Sequence, residues 1–156
     1  MLKMSTWFDR KAQCLVVIPS PLHERMARIV ASRFPKESGG ALLGMRRGRH
    51  IEVASLTTPA KGDSASRFHF FRRSKRHQMK SNWLWKRSGG LVDHVGEWHT
   101  HDEMVPHPSP TDSASWMALG RRRQGAAMVF LICGQRAERC WVTEGTDVRE
   151  LTRLEK

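Results

Sequence analysis

Short apolar runs alternate with amphipathic segments along this chain, and the pattern predicts a mixed α/β fold. Apolar runs rich in β-branched residues and bounded by Gly, Pro and polar residues are typical of strands. The predicted strands cover residues 14–18, 40–45, 50–56, 68–71, 91–101, 126–133 and 137–143. Residues 126–133 are the most apolar of these, which predicts a central strand joined by a hairpin to the next one. Residues 59–66 predict a loop, and the charged segment from Asp147 onward predicts a helical or frayed tail.

Three further segments place apolar residues at helical spacing between helix start and stop signals. The predicted helices cover residues 21–33, 75–87 and 110–123. Ser20 is the predicted N-cap of the first helix, with Pro21 at its first position. In the second helix, Met79, Trp83 and Leu84 are predicted to face inward. The core is also predicted to take up most of the tryptophans, namely Trp83, Trp85, Trp98 and Trp116.

The order of these elements predicts a mixed β-sheet flanked by helices, because strands and helices alternate without strict βαβ regularity. A length of 156 residues fits a single domain over residues 1–156. No apolar stretch is long enough for a signal peptide or a membrane span. Cys14, Cys133 and Cys140 lie in or beside apolar runs without CxxC spacing, which predicts free, buried thiols. Together these features predict a cytoplasmic protein without membrane attachment.

The chain is strongly basic, with a formal net charge of +12, and the excess is uneven. No acidic residue occurs between Asp63 and Asp93. The basic residues of that interval are Arg67, Arg72, Arg73, Lys75, Arg76, Lys80, Lys86 and Arg87. This basic face, residues 67–87, predicts attraction to an anionic partner, either an acidic protein or a nucleic acid. No nucleic-acid-binding motif accompanies the charge, which disfavours the second partner class.

The candidate chemistry lies between residues 96 and 116. His99 and His101 are separated by one residue, so both imidazoles point to the same face of the predicted strand. Asp112 follows in a Ser109-Pro110-Thr111-Asp112 segment, which also predicts the capping box of the third helix. Two imidazoles and one carboxylate suit zinc and leave its fourth position open, as in catalytic sites. A His-x-His pair alone is more often two ordinary strand residues, and the cap is the alternative interpretation of Ser109 and Asp112.

A hydrolytic zinc site also needs a base, and Glu37 is the candidate. It lies just before small residues and an apolar strand, where a carboxylate can overhang a cleft. The chain holds 15 acidic residues, so the pattern alone does not select Glu37 from the others.

The motif as a whole resembles the JAMM motif of the JAB/MPN-plus metallopeptidases. The matching positions are Glu37, Gly40, Leu42, Gly44, His99, His101, Ser109 and Asp112, in that order. The resemblance extends over residues 15–143 and implies a JAB/MPN-like, cytidine-deaminase-like sheet. It also implies roles: one catalytic zinc ion on His99, His101 and Asp112, with Glu37 as base and Ser109 as oxyanion donor. Such enzymes typically cleave the amide bond after the C-terminus of a ubiquitin-like protein.

Within that family, the chain is similar to the deconjugating peptidases of bacterial CBASS anti-phage operons. That similarity implies deconjugation of a CD-NTase from its targets, with the protein substrate docking on the basic face. Two alternatives stay open from the residues: a peptidase that trims a ubiquitin-like sulfur-carrier protein, and a vestigial basic module that binds nucleic acid or protein. Two features differ from the usual motif. Asp102 and Glu103 follow the second histidine, where many relatives carry a proline. The small residues Ser38 and Gly39 after Glu37 predict that its carboxylate is flexibly attached.

Overall fold

A computed structural model of the protein describes residues 4–155. Within them the strands are β1 (Met4–Asp9), β2 (Cys14–Pro19), β3 (Gly39–Arg47), β4 (His50–Leu56), β5 (Ser64–Ala65), β6 (Phe70–Phe71), β7 (Asp93–Thr100), β8 (Met128–Cys133), β9 (Glu138–Glu144), β10 (Asp147–Glu150) and β11 (Thr152–Leu154). The helices are α1 (Ser20–Arg33), α2 (Lys75–Arg87) and α3 (Pro110–Arg122). No helix of this part of the chain is long and apolar enough to cross a membrane.

Nine strands form one mixed sheet in the order β10-β9-β8-β7-β3-β4-β2-β1-β11. The pairs β2–β4 and β7–β8 are parallel, and the other pairs are antiparallel. The short strands β5 and β6 form a separate antiparallel pair. The predicted mixed sheet flanked by helices is therefore confirmed, as is the hairpin of β8 and β9.

The core lies on both faces of β8, which is buried along its whole length. Val129 and Leu131 belong to an apolar cluster that includes Met26 of α1. Phe130 alternates with them and packs with Trp116 of α3 on the opposite face. A strand covered on both faces needs apolar residues at every position, which explains why this run is the most apolar in the chain.

Both ends of the chain differ from the sequence prediction. The predicted helical or frayed tail is wrong, because residues 147–154 form β10 and β11. Strand β1, which the pattern did not predict, pairs with β2 and β11. Helix α1 begins at Ser20 itself and Pro19 precedes it, so the predicted Ser20 cap is also wrong.

The orientation of α2 contradicts the prediction for Met79 and Trp83, whereas Leu84 is half-buried. Met79 is 66% exposed and Trp83 is 55% exposed, and Trp85 also lies outside the core, at 51%. The buried side of α2 carries His77, which is hydrogen bonded through Nδ1 to Thr57 Oγ1 (2.5 Å) and through Nε2 to Asp63 (2.7 Å). The inward side of α2 therefore holds a polar network. His77 can be buried there because both nitrogens of its ring have hydrogen-bond partners.

Candidate metal centre

Strand β7 carries His99, and His101 follows directly after its last residue, with both imidazoles on one face as their spacing predicts. Their Nε2 atoms are 3.0 Å apart, and both side chains are largely buried, with 14% and 11% exposed. The backbone of β7 is fixed between β3 and β8, and the His101 amide donates to the Cys133 carbonyl (3.0 Å) beyond the end of the strand pair. His99 therefore lies on a strand that is paired on both sides, and the backbone of His101 is fixed just beyond its end by the bond to Cys133.

Helix α3 supplies the carboxylate from its first turn. Asp112 Oδ1 lies 3.3 Å from His99 Nε2, and Asp112 Oδ2 lies 3.2 Å from His101 Nε2. The same Oδ2 accepts a hydrogen bond from the Ser109 amide (2.7 Å), and the Ser109 Oγ accepts one from the Asp112 amide (3.1 Å). The capping box is therefore present, and it orients Asp112 toward the histidines. The Asp112 side chain therefore caps the helix and contacts both imidazoles.

Glu37 reaches the same point from the start of β3. Its Oε1 is 3.8 Å from His101 Nε2, and its side chain is 9% exposed. The predicted flexibility of Ser38-Gly39 is wrong, because Ser38 accepts from the Thr100 amide and donates its own amide to Thr100 Oγ1, both at 2.9 Å. A Cβ on Gly39 would lie 2.6 Å from the Trp98 carbonyl, so the missing side chain lets β3 approach β7 closely. The backbone next to Glu37 is therefore fixed to β7, the strand that carries His99.

The surroundings of the centre shift the pKa values of its two carboxyl groups in opposite directions. Burial raises the pKa of Glu37 to about 7, although the charge of His101 opposes the rise. Asp112 is also desolvated, but its hydrogen bonds to His101 and His99 outweigh burial and hold its pKa well below the usual range. Burial likewise opposes protonation of His101, yet the contacts with Asp112 and Glu37 raise its pKa to about 9. In the metal-free centre Asp112 is thus the anion and Glu37 is a carboxyl group able to exchange a proton near neutrality.

The Ser109 hydroxyl borders the same cleft. It accepts the capping bond from the Asp112 amide, and a hydroxyl that accepts one hydrogen bond still has its own proton to donate. The position is compatible with the predicted oxyanion role, which stays a prediction.

The donor set fits a divalent metal ion. One ligand atom from each of His99, His101 and Asp112 can be chosen so that all three lie within 4.8 Å of one another. Two neutral imidazoles and one carboxylate are a donor set found at catalytic zinc sites. They open into a cleft of about 490 Å³ whose far wall is the β5–β6 segment, including Phe70 and Arg72. A larger groove, about 960 Å³, lies between α1 and the β8–β9 turn and contains none of these residues.

Several neighbours of the centre were not predicted from the sequence. Glu103 Oε2 lies 3.1 Å from His101 Nδ1, a contact whose only sequence signal is an acid two residues after the histidine. Glu97 lies two residues before His99, but it forms an ion pair with Arg72 (2.7 Å) rather than a bond to either histidine. His94 lies apart from the centre and accepts from Arg123 (2.9 Å). The three cysteines are free and buried, as predicted.

The fold and this site together define a JAB-domain protein. The chain belongs to the family described as prokaryotic homologs of the JAB domain, whose model matches residues 19–144. The resemblance seen in the sequence is thereby confirmed at the level of the family.

Similar proteins within that family carry a common name. The chain is 37% identical over 135 residues to a CD-NTase/cGAS isopeptidase of Vibrio cholerae serotype O1, covering 83% of this chain and 82% of that protein. It is 34% identical over 136 residues to a protein of the same name from Pseudomonas aeruginosa, covering 86% of each. A third, from Escherichia coli, is 43% identical over 81 residues, or 52% of each chain.

Solved structures support the fold alone. The protein DSY2949 from Desulfitobacterium hafniense aligns with a TM-score of 0.60 at 21% identity, covering 83% of this chain and 85% of that one. A protein from Salinibacter ruber aligns with a TM-score of 0.54 at 18% identity, covering 88% and 87%.

Proposed function

We propose that this protein is a zinc-dependent isopeptidase that hydrolyses the amide bond joining the C-terminus of a conjugated protein to its target. The convergence of Glu37, His99, His101 and Asp112 at one end of the cleft is the observation that carries the proposal. Relatives named CD-NTase/cGAS isopeptidase, similar over most of the chain, favour a CD-NTase as the conjugated protein. Removal of that protein from its targets would place the enzyme in a bacterial CBASS system.

Each residue of the centre has a role in this chemistry. His99, His101 and Asp112 would hold the zinc ion, which supplies a Lewis acid that polarises the scissile carbonyl and acidifies water. Glu37 is the proton acceptor, because burial raises the pKa of its carboxyl group into the range where a base can take a proton and return it to the leaving amine. Ser109 would donate to the oxygen of the scissile carbonyl as negative charge develops there.

The first prediction concerns Glu37. Glu37→Gln keeps the size of the side chain but cannot accept a proton, so cleavage of a CD-NTase–reporter fusion should fall by at least a hundredfold. Zinc content and melting temperature should stay close to those of the parent. The matched control is Glu24→Gln, which makes the same change at an exposed position of α1 and should cleave normally. Full activity of Glu37→Gln, or parent activity that survives a strong chelator, would refute the mechanism.

The charges of the basic face are not equally available to a docking substrate. Arg72 forms an ion pair with Glu97, and Arg67 forms one with Asp102, so these two charges already have partners. The outer face of α2 is more available. This face consists of Arg76, Met79, Trp83 and Arg87, all exposed and spaced three or four residues apart.

The outer face of α2 combines apolar area with positive charge. Trp83 and Met79 are exposed by 55% and 66%, and Arg87 lies over the Trp83 ring at 5.0 Å. Clusters of Trp and Arg are typical of the residues that contribute most to protein interfaces. We therefore propose that an acidic protein substrate binds this face.

The second prediction tests that docking. The double variant Arg76→Ser/Arg87→Ser should raise KM several-fold and weaken its dependence on salt, while kcat stays near the parent value. Arg25→Ser/Arg28→Ser is the control, because it removes the same charge from exposed positions of α1. Steady-state cleavage of the fusion at two salt concentrations measures both quantities. Equal effects of the two double variants would contradict a specific docking face.

A further inference from the structure

The loop after His101 carries two adjacent acidic residues, and both have partners. Asp102 accepts from Arg67 Nε (2.9 Å) and from Gln135 Nε2 (2.6 Å), and only 11% of its side chain is exposed. Glu103 contacts the His101 ring instead, at 3.1 Å from Nδ1. The loop is therefore fixed by Asp102 on one side, while Glu103 contacts the Nδ1 edge of the His101 ring.

Glu103 is itself held in place at two points. Its Oε2 accepts a hydrogen bond from the His107 amide at 3.0 Å, and its backbone carbonyl accepts one from the Gln135 amide at 2.7 Å. The neighbouring Met104 carbonyl accepts from the Arg136 amide at 3.1 Å. These bonds attach the loop to the β8–β9 turn, so the carboxylate has a defined direction relative to the ring.

The position of Glu103 matters because the two nitrogens of His101 have different tasks. Nε2 faces the centre, 3.2 Å from Asp112 Oδ2 and 3.0 Å from His99 Nε2. For Nε2 to offer its lone pair to a cation, the ring proton must be on Nδ1. A carboxylate beside Nδ1 accepts the hydrogen bond from that proton, fixes the ring orientation and strengthens Nε2 as a donor.

We infer that Glu103 is a positioning residue of the metal centre, which sets the tautomer and orientation of His101. The inference depends on one part of the proposed function, namely that this centre binds zinc. A role in overall stability is a poor alternative, because 45% of the Glu103 side chain is exposed and ion pairs at such positions add little to stability.

The test measures zinc affinity by competition with a chromophoric chelator, so it needs no substrate. Glu103→Ala should weaken zinc binding about ten- to a hundredfold. Glu103→Gln should keep most of the affinity, because its amide oxygen can accept from both His101 Nδ1 and the His107 amide. The exposed control Glu24→Ala should bind as the parent does. The melting temperatures of the zinc-free proteins should agree closely.

Parent-like affinity in Glu103→Ala would overturn the inference and leave the isopeptidase proposal standing. Equal losses in Glu103→Gln and Glu103→Ala would also overturn it, since orientation by a hydrogen bond would then not be the cause. A parent protein that binds no zinc would instead overturn the proposed function, and the role of Glu103 with it.

Discussion

At the scale of single residues, His94 shows what burial does to a titratable group that has no carboxylate as a hydrogen-bond partner. Its Nδ1 accepts from Arg123 (2.9 Å), while its Nε2 is buried and has no hydrogen-bond partner among residues 4–155. Burial lowers the pKa of His94 to about 4, although the nearby charge of Glu97 opposes the shift. The folded protein therefore holds this ring neutral, whereas the unfolded chain protonates it at an ordinary histidine pKa of about 6.5.

This difference predicts an acid sensitivity of the fold. Between the pKa of about 4 in the folded protein and about 6.5 in the unfolded chain, the unfolded state binds more protons at residue 94. Stability is therefore present above pH 6.5 and is lost as the pH falls, by up to about 1.4 kcal/mol per pH unit from this group. His94→Gln should show a shallower decline in urea unfolding measured from pH 7 to pH 4.5. An identical slope in the two proteins would contradict this assignment.

At the scale of elements, α3 connects the metal centre to the core through one tryptophan. Trp116 lies one helical turn after Asp112 and is 2% exposed. Its ring stacks on Phe130 of β8 at 4.7 Å and lies 6.5 Å from the His99 ring. The packing that anchors the helix is therefore also the packing that places its carboxylate beside the histidines.

Trp116→Ala should accordingly lower the free energy of unfolding by about 3–5 kcal/mol, because it removes a large buried ring and leaves a cavity. Trp85→Ala is the matched control, since Trp85 is 51% exposed and surface substitutions usually change stability by about 0.5 kcal/mol or less. Urea titrations of both variants give the comparison. Similar losses in the two would show that α3 is not anchored through Trp116.

The elements also show how far the sequence can be interpreted. Strand β8, its hairpin and α3 were predictable because a buried strand and a capped helix each leave a local signal. The candidate ligands His99, His101 and Asp112 were predictable as a set, because their spacing in the sequence is short and matches the end of β7 and the first turn of α3. Strands β10 and β11 were not, because they are short, charged edge strands whose pairing is decided by distant residues. The inward face of α2 was not predictable for a related reason. His77 is hydrogen bonded to Thr57 and Asp63, which lie outside the helix and leave no signal in its apolar pattern.

At the scale of the whole molecule, the chain brings the two ends of the strand order together. Strands β10 and β11 lie at opposite ends of that order, yet Leu151 alone separates them in sequence. Consecutive Cα atoms are about 3.8 Å apart, so the sheet must curl until its edges meet. Within the curl, His23 of α1 is hydrogen bonded to Ser5 of β1 (2.5 Å) and to Glu138 of β9 (2.9 Å). The curled sheet thus holds α1 between the strands on either side of the closure.

An ion pair between Arg149 of β10 and Asp9 of β1, at 2.7 Å, joins the two sides of the closure. Asp9 is 3% exposed and receives three hydrogen bonds from this guanidinium group. Arg149→Met leaves the Asp9 carboxylate buried without its charged partner, so it should cost about 3–5 kcal/mol of unfolding free energy. Asp9→Ala should cost less, because Arg149 keeps its ion pairs with Asp147 (2.6 Å) and Glu144 (3.1 Å). The double variant should lose less than the sum of the two single variants.

The exposed pair between Lys11 and Asp147 provides the control for the same region, since the Lys11 side chain is 70% exposed. Lys11→Met should therefore cost about 1 kcal/mol or less, because solvent screens the pair. Urea unfolding of the four variants and the parent yields the coupling energy between Asp9 and Arg149 directly. If the Asp9 and Arg149 losses simply add, or Arg149→Met costs no more than Lys11→Met, closure of the sheet is maintained by the β1–β11 and β9–β10 backbone pairing instead.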